Sequence, residues 1–216
     1  MPDTRSPSSP RAPGVPPTLV DGTRLWVDAR LRALVQRRGE APILHRLGGD
    51  VPGGRALELG PGRRGTGLRL ALELFGAEQA TGVELYPASV ADARLALDDL
   101  GGRVTVVQGD ATALPQDDSS VDAVFGYHVL HHVGPWRDVV REAARVLRPG
   151  GRFYSCEMTA RFIDSRPLRA VSRHPADGDR PTPEAIADAC RDAGLTVVAQ
   201  ETRLAGLWTG LVATRS

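Results

Sequence analysis

The chain contains no lysine and no asparagine, so all 27 of its basic residues are arginine. Without lysine there is no Schiff-base nucleophile and no P-loop cation; without asparagine, no Asn amide acts as ligand or catalyst. Both missing residues have AT-rich codons, which points to a high-GC bacterial genome. Cysteine is scarce too: Cys156 and Cys190 are too few for a disulfide framework or a zinc cluster and read as free thiols. No apolar run approaches the roughly 20 residues that cross a bilayer, and the opening "MPDTRSPSSPRAPGVPPT" lacks the apolar centre of a secretion signal. Cytoplasmic residence is the expectation by elimination. A formal net charge of +1 supplies no field for gathering nucleic acid or an anionic membrane, so neither is an expected partner.

What is present is a chain of 216 residues, enough for one domain with a substantial core. Residues 1–20, rich in Pro, Ser and Gly, read as a flexible tail, and residues 21–216 as a single domain. Trp26, Leu31, Leu34, Val35, Ile43 and Leu44 recur at near-helical spacing within 21–50, which predicts one or two helices packed on the core. Strand-like and helix-like stretches then alternate: "RALELG", "TGLRLALELFG", "ATGVELY", "PASVADARLALDDLGG", "RVTVVQGD", "SVDAVFGYHV", "PWRDVVREAARVLRPGG", "RFYSCEM" and "TPEAIADACRDAGL". "TVVAQETRL" and "WTGLVATR" close the chain as two strands able to pair as a hairpin. Such alternation predicts an α/β sandwich around a mostly parallel sheet. The stretch 159–181 has no clear period and carries several arginines and His174; it reads either as a lid over an acceptor or as a solvated crossover.

The most informative stretch is "RALELGPGRRGTG", where Gly60, Gly62, Gly65 and Gly67 follow the first buried strand. In a parallel sheet, ligands bind beyond the carboxyl ends of the strands, and glycines there let a ligand lie against bare backbone amides. Glu84, at the end of the second strand, is placed to accept hydrogen bonds from both hydroxyls of a ribose. Asp110, at the end of the third, can accept from an adenine amino group while the Ala111 amide faces a ring nitrogen.

The blocks "ALELGPGRRG", "TGVELYP", "GDATALP", "VDAVFGYHVLHHV" and "VLRPGG", in that order, resemble the class I S-adenosylmethionine-dependent methyltransferases, in particular their small-molecule branch of quinone and natural-product enzymes. The resemblance implies a doubly wound, Rossmann-like, seven-stranded, mostly parallel sheet with an antiparallel last strand and helices on both faces. It also implies S-adenosylmethionine as cofactor and a small organic acceptor as partner. Glu58 and the loop Gly60, Pro61, Gly62 and Gly65 would hold the methionine part, Glu84 and Leu85 the ribose side, Asp110 and Ala111 the adenine. The backbone at Tyr127 would face the methionine amino group. One departure is Arg64, which stands where the family usually has its third glycine, with Gly65 following. That spacing also fits a dinucleotide fingerprint, but a chain without lysine cannot supply the Tyr-x-x-x-Lys pair of the short-chain reductases. The same blocks are compatible with a protein or RNA methyltransferase and with a non-catalytic module that only binds the cofactor.

Methyl transfer from a sulfonium proceeds by direct in-line displacement, in which alignment supplies much of the acceleration and a base is optional. His128, His131 and Glu157 are the candidate bases, with His132 and His174 further histidines that could serve. Each also has a plainer reading as a pocket or strand-end residue. The spacing of His128, His131 and His132 is ligand-like, yet they span a strand end and a loop, and no metal is expected. Trp26, Trp136, Phe153, Tyr154 and Phe162 either wall the acceptor or belong to the core.

Overall fold

The computed structural model describes residues 30–51, 54–163 and 180–216. The tail at 1–20, Trp26, His174 and most of the 159–181 segment lie outside the described residues. Strands β1 (Arg55–Leu59), β2 (Gln79–Glu84), β3 (Val104–Gln108), β4 (Val121–Tyr127), β5 (Leu147–Met158), β6 (Leu195–Arg203) and β7 (Trp208–Arg215) form one sheet in the order β3-β2-β1-β4-β5-β7-β6. Pairing among β1 to β5 is parallel, and β7 runs antiparallel to both of its neighbours. This is the doubly wound, mostly parallel architecture that the alternating pattern predicts, with β6 and β7 as the closing hairpin.

Helices cover both faces, which is why Ala56 to Leu59 of β1 are all buried. On one face lie α1 (Arg30–Val35), α2 (Ala41–Gly48), α3 (Thr66–Glu73) and α4 (Pro87–Ala96). There Phe75 meets Phe125 and Tyr154 edge-on, with ring centroids 4.7 and 5.2 Å apart. On the other face, α5 (Trp136–Val146) and α7 (Pro183–Asp192) pack Trp136, Val139, Val140 and Ile186 against Leu57, Val124 and Phe153; the short helix α6 (Ala160–Ile163) lies between them in the chain. Trp136, Phe153 and Tyr154 are thus core residues, each no more than 1 % exposed. Helix α7 begins as its sequence suggests, with the Thr182 hydroxyl accepting from the Ala185 amide at 3.1 Å.

Three local features differ from the pattern. Helix α4 ends at Ala96 rather than running to the glycines; a 3-10 turn over Asp98–Arg103 follows, with Gly101 at φ 56. Helix α5 ends at Val146, before Pro149, because the Ser119 and Ser120 amides take the carbonyls of Arg145 and Val146 and Leu147 pairs with Val121 in the sheet. The third difference concerns the first helices. Leu31, Leu34 and Val35 on α1 are exposed, whereas Gln36 and Glu40 are buried and the Arg32 side chain is only 13 % exposed. A π-helical turn over Gln36–Glu40 joins α1 to α2. The polar stripe of this segment faces the protein, and its apolar stripe does not.

Candidate active site

The order of the parallel strands reverses between β1 and β4, and the carboxyl ends of both strands open onto the glycine loop. Glycine serves the loop for two distinct reasons. Gly60, Gly62 and Gly65 have φ of 59, 62 and 54°, the left-handed region that side chains disfavour. Gly67 is an ordinary helical residue, but a Cβ there would lie 2.1 Å from Glu58 Oε1. The loop therefore closes around the Glu58 carboxylate. At Gly62 nothing lies within 4 Å of an added Cβ, so the loop is open on the side where a ligand would approach.

Glu84, buried at the end of β2, accepts the Gly62 amide on Oε2 and the Tyr86 amide on Oε1, both at 3.1 Å. It thereby ties the glycine loop to the next strand. Leu85 and Tyr86 just beyond it are 51 % and 39 % exposed, an apolar ledge beside this carboxylate. Asp110 is exposed, and its Oδ1 holds a turn by accepting the amide and hydroxyl of Thr112 at 2.8 Å each.

Glu58 is fully buried, and burial pushes its carboxyl up to about 8; the neighbouring Glu84 adds to the rise, while the Leu68 amide at the start of α3 and the Arg32 charge oppose it. Its Oε2 and the Tyr127 hydroxyl are buried atoms with no hydrogen-bond partner among the described residues. Burial and the nearby Glu58 carboxylate raise the Tyr127 phenol well above its ordinary range.

Past Tyr127 the chain turns through His128, whose φ of 61 is uncommon for a side-chain-bearing residue. The Met158 amide donates to His128 Nδ1 at 3.1 Å, so the ring proton sits on Nε2, which donates to Glu40 Oε1 at 2.8 Å. Arg32 forms an ion pair with the other Glu40 oxygen at 2.8 Å. Burial works to raise the Glu40 carboxyl, but His128 and Arg32 outweigh it and hold the group below its ordinary value. On the opposite face of the sheet, Glu157 Oε2 lies 2.7 Å from His131 Nδ1 and Oε1 accepts the Leu130 amide at 2.8 Å. Burial pushes the Glu157 carboxyl up to about 7. Glu157 is therefore not a solvated strand-end acid.

Among the described residues, Glu40–His128–Cys156 and His128–His131–Glu157 have the spacing of metal ligands. Both sets need His128, whose Nδ1 lone pair and Nε2 proton are already engaged, so neither is poised to coordinate an ion. Cys156 is buried beside them and accepts from Trp208 Nε1 at 3.0 Å, with burial raising its thiol well above the ordinary range. It is a packed thiol and not a reactive one.

The structure thus brings Glu58, the glycine loop, Glu84 and Tyr127 into one cluster and pairs His131 with Glu157. It keeps His128 and His131 on separate acids. Arg32, Gln36 and Glu40 join the cluster without having been singled out by sequence. Their signal is a polar repeat every four residues on one helical face, masked by the apolar repeat alongside it.

Residues 57–155 match the family model described as a methyltransferase domain. The chain is 38 % identical over 115 residues to 27-O-demethylrifamycin SV methyltransferase of Amycolatopsis mediterranei, a match covering 51 % of this chain and 42 % of that protein. It is 36 % identical over 110 residues to demethylmenaquinone methyltransferase of Mycobacterium tuberculosis, covering 48 % and 44 %. To a fatty-acid O-methyltransferase of Mycolicibacterium smegmatis it is 35 % identical over 126 residues, covering 58 % and 45 %. These matches span less than half the length of each relative. In fold, the chain superposes with a TM-score of 0.73 at 22 % identity on a chain from the complex of the Haloferax volcanii Trm112 methyltransferase activator with a putative methyltransferase, covering 88 % of this chain and 96 % of that one. The family model thus covers a little under half of the chain, and these curated relatives are methyltransferases. Among the described residues, no helix is long and apolar enough to cross a membrane.

Proposed function

We propose that residues 21–216 act as one class I methyltransferase domain whose methyl donor is S-adenosylmethionine and that passes the donor's methyl group to a small organic acceptor by in-line displacement. The observation that carries this reading is the open glycine loop tied through the Gly62 amide to Glu84. The residues present fit the donor. Glu58 and the loop Gly60, Pro61, Gly62 and Gly65 hold its methionine part, with the Tyr127 backbone facing the amino group. Glu84 keeps carboxylate lone pairs for the ribose hydroxyls, and Leu85 gives the adenosyl group an apolar ledge. Asp110 and the Ala111 amide read the adenine edge. When bound, the donor presents an already activated methyl group, so the chain's task is alignment and removal of the acceptor's proton.

For that proton, His131 is the base. The Glu157 carboxylate holds its Nδ1, 2.7 Å away, which puts the basic lone pair on Nε2 and stabilises the imidazolium as it forms. His128 is a positioning residue, because both its nitrogens are engaged. The acceptor class follows that of the relatives, which are named for methyl transfer to a rifamycin, a quinone precursor and a fatty acid.

Calorimetric titration with S-adenosylmethionine, S-adenosylhomocysteine, NADH and NADPH tests the donor half. Binding of the two adenosyl compounds alone is expected; binding of a nicotinamide nucleotide alone would overturn the reading. Glu84→Ala should weaken S-adenosylhomocysteine binding by about 1–3 kcal/mol, the scale for hydrogen bonds to a charged group. For the acceptor half, transfer of labelled methyl to a panel of phenols and hydroquinones should fall by about 10²–10⁴ in His131→Ala, with donor affinity retained. Equal loss of donor affinity would instead place His131 in the donor site.

A further inference from the structure

Eight large apolar side chains are exposed among the described residues, and six of them, Leu31, Leu34, Val35, Leu85, Tyr86 and Leu204, sit at one edge of the sheet. Leu85 and Tyr86 follow the end of β2, which runs parallel to β1. Leu204 opens the turn from β6 to β7; because β7 is antiparallel to both β5 and β6, that turn lies at the carboxyl end of β5. Thr159, just past β5, fixes it there: its amide donates to the Leu207 carbonyl at 3.0 Å and its hydroxyl to the Gly206 carbonyl. Leu31, Leu34 and Val35 belong to α1. The inward stripe of that segment, Arg32 with Gln36 and Glu40, meets the end of β4 through the 2.8 Å bond from His128 Nε2 to Glu40. Its opposite stripe therefore points away from the strand ends. The other two exposed side chains, Leu95 on α4 and Val198 within β6, lie apart from this edge.

Arginines flank these side chains. Arg30 and Arg38, four residues before and after Leu34, are exposed on the same side of the helix. Arg161 is exposed beside the β6–β7 turn, its Nη1 3.6 Å from where a Cβ would lie on Gly206. These three form no ion pair among the described residues, whereas Arg32, Arg37 and Arg203 pair with Glu40, Glu73 and Glu201. A net charge of +1 conceals this local arrangement. Asp110 is an exposed acid at the same edge, but it follows β3, the strand farthest from β6. We propose that this edge docks on an anionic lipid surface, with Leu31, Leu34 and Val35 entering the headgroup boundary and Arg30, Arg38 and Arg161 meeting lipid phosphates. A guanidinium on its apolar stem can lie along such a boundary and still reach phosphate oxygens. A second copy of the chain fits less well, because two-fold pairing of α1 sets Arg30 and Arg38 against the same arginines. Nucleic acid would engage the arginines and leave the leucines in water. The candidate active site opens at this edge, so a docked chain would draw an acceptor dissolved in the lipid. That consequence rests on the methyltransferase reading; the docking does not.

Flotation of the full chain with vesicles tests the surface in the absence of donor and acceptor. Binding is expected to vesicles of phosphatidylcholine mixed with phosphatidylglycerol, weakening as salt is raised, and not to phosphatidylcholine alone. Arg30→Gln combined with Arg38→Gln should lower the apparent affinity about twentyfold, on a scale of about fivefold for each arginine at an anionic surface. Leu31→Ser combined with Leu34→Ser should lower it about tenfold or more. Leu95→Ser, at a side chain that is 78 % exposed but away from this edge, should change nothing. All of these side chains are exposed, so the variants keep the fold, which matching melting temperatures verify. Failure of the unmodified chain to bind the anionic vesicles would overturn the proposal, and so would an equal loss in Leu95→Ser. Self-association that the two leucine changes abolish, without vesicle binding, would assign the edge to a second copy instead. Vesicle binding by a chain that binds no adenosyl compound would leave the docking standing and defeat the donor reading alone.

Discussion

Glu58→Gln should make the protein more stable at pH 8 while weakening its hold on the donor. The carboxyl titrates near 8 in the folded chain, against an ordinary value of 4.5, because burial disfavours its charge. Between those two values the folded state holds more protons than the unfolded state, so stability falls as pH rises through the window. Glutamine does not titrate and escapes that loss. At about 1.4 kcal/mol per unit, and allowing for relaxation around the charge, the variant should gain about 2–4 kcal/mol at pH 8 and close to none at pH 4.5. Denaturant melts at the two pH values measure the difference. Glu157 shifts in the same direction but is present in both proteins, so it cancels in the comparison. For ligand binding the sign reverses. An ammonium group needs the ionised carboxylate, so S-adenosylhomocysteine affinity should rise with pH up to about 8 in the unmodified chain and stay flat in the variant. Identical pH profiles in the two proteins would mean that burial does not control this carboxyl.

Gly67→Ala should be the most damaging single change in the loop, although alanine is the better helix former. An added Cβ would sit 2.1 Å from Glu58 Oε1 and 2.5 Å from its carboxyl carbon, closer than non-bonded atoms come. Glu58 is buried beside α3 and has no solvent to swing into, so strand and helix must separate. Overpacking of this kind costs about 1–3 kcal/mol, and here it also displaces the carboxylate assigned to the proposed donor site. A double-mutant cycle isolates the contact. Shortening the acid in Glu58→Ala should remove most of the penalty of the alanine at 67, giving a clear favourable coupling. Additive effects would show that the penalty arises elsewhere in the helix.

Neither outcome follows from residue type alone, because both turn on what the fold places around Glu58. The order of strands and helices was legible because each segment's apolar period is a local property, and the loop was legible because its glycines are followed in order by Glu84 and Asp110 at successive strand ends. The polar inward face of α1 was not. Leu31, Leu34 and Val35 repeat as a core stripe would, and only the position of the helix over the strand ends shows that Arg32, Gln36 and Glu40 are the buried set. The ends of α4 and α5 differ for a related reason: a 3-10 turn from Asp98 takes over from α4 ahead of Gly101, and a strand pairing at Leu147 stops α5 ahead of Pro149.

By itself the sequence determined the doubly wound sheet, the glycine loop with its acids at successive strand ends, and the family those motifs resemble. Each of these follows from residue type and spacing within a few turns of chain. Tertiary structure alone decided which nitrogen of His128 carries the proton, which acid orients His131, and why Glu58 holds its own proton near neutrality. Those properties come from burial and from partners such as Glu40 and His128, which stand 88 residues apart in the chain and meet only when the first helix closes over the sheet.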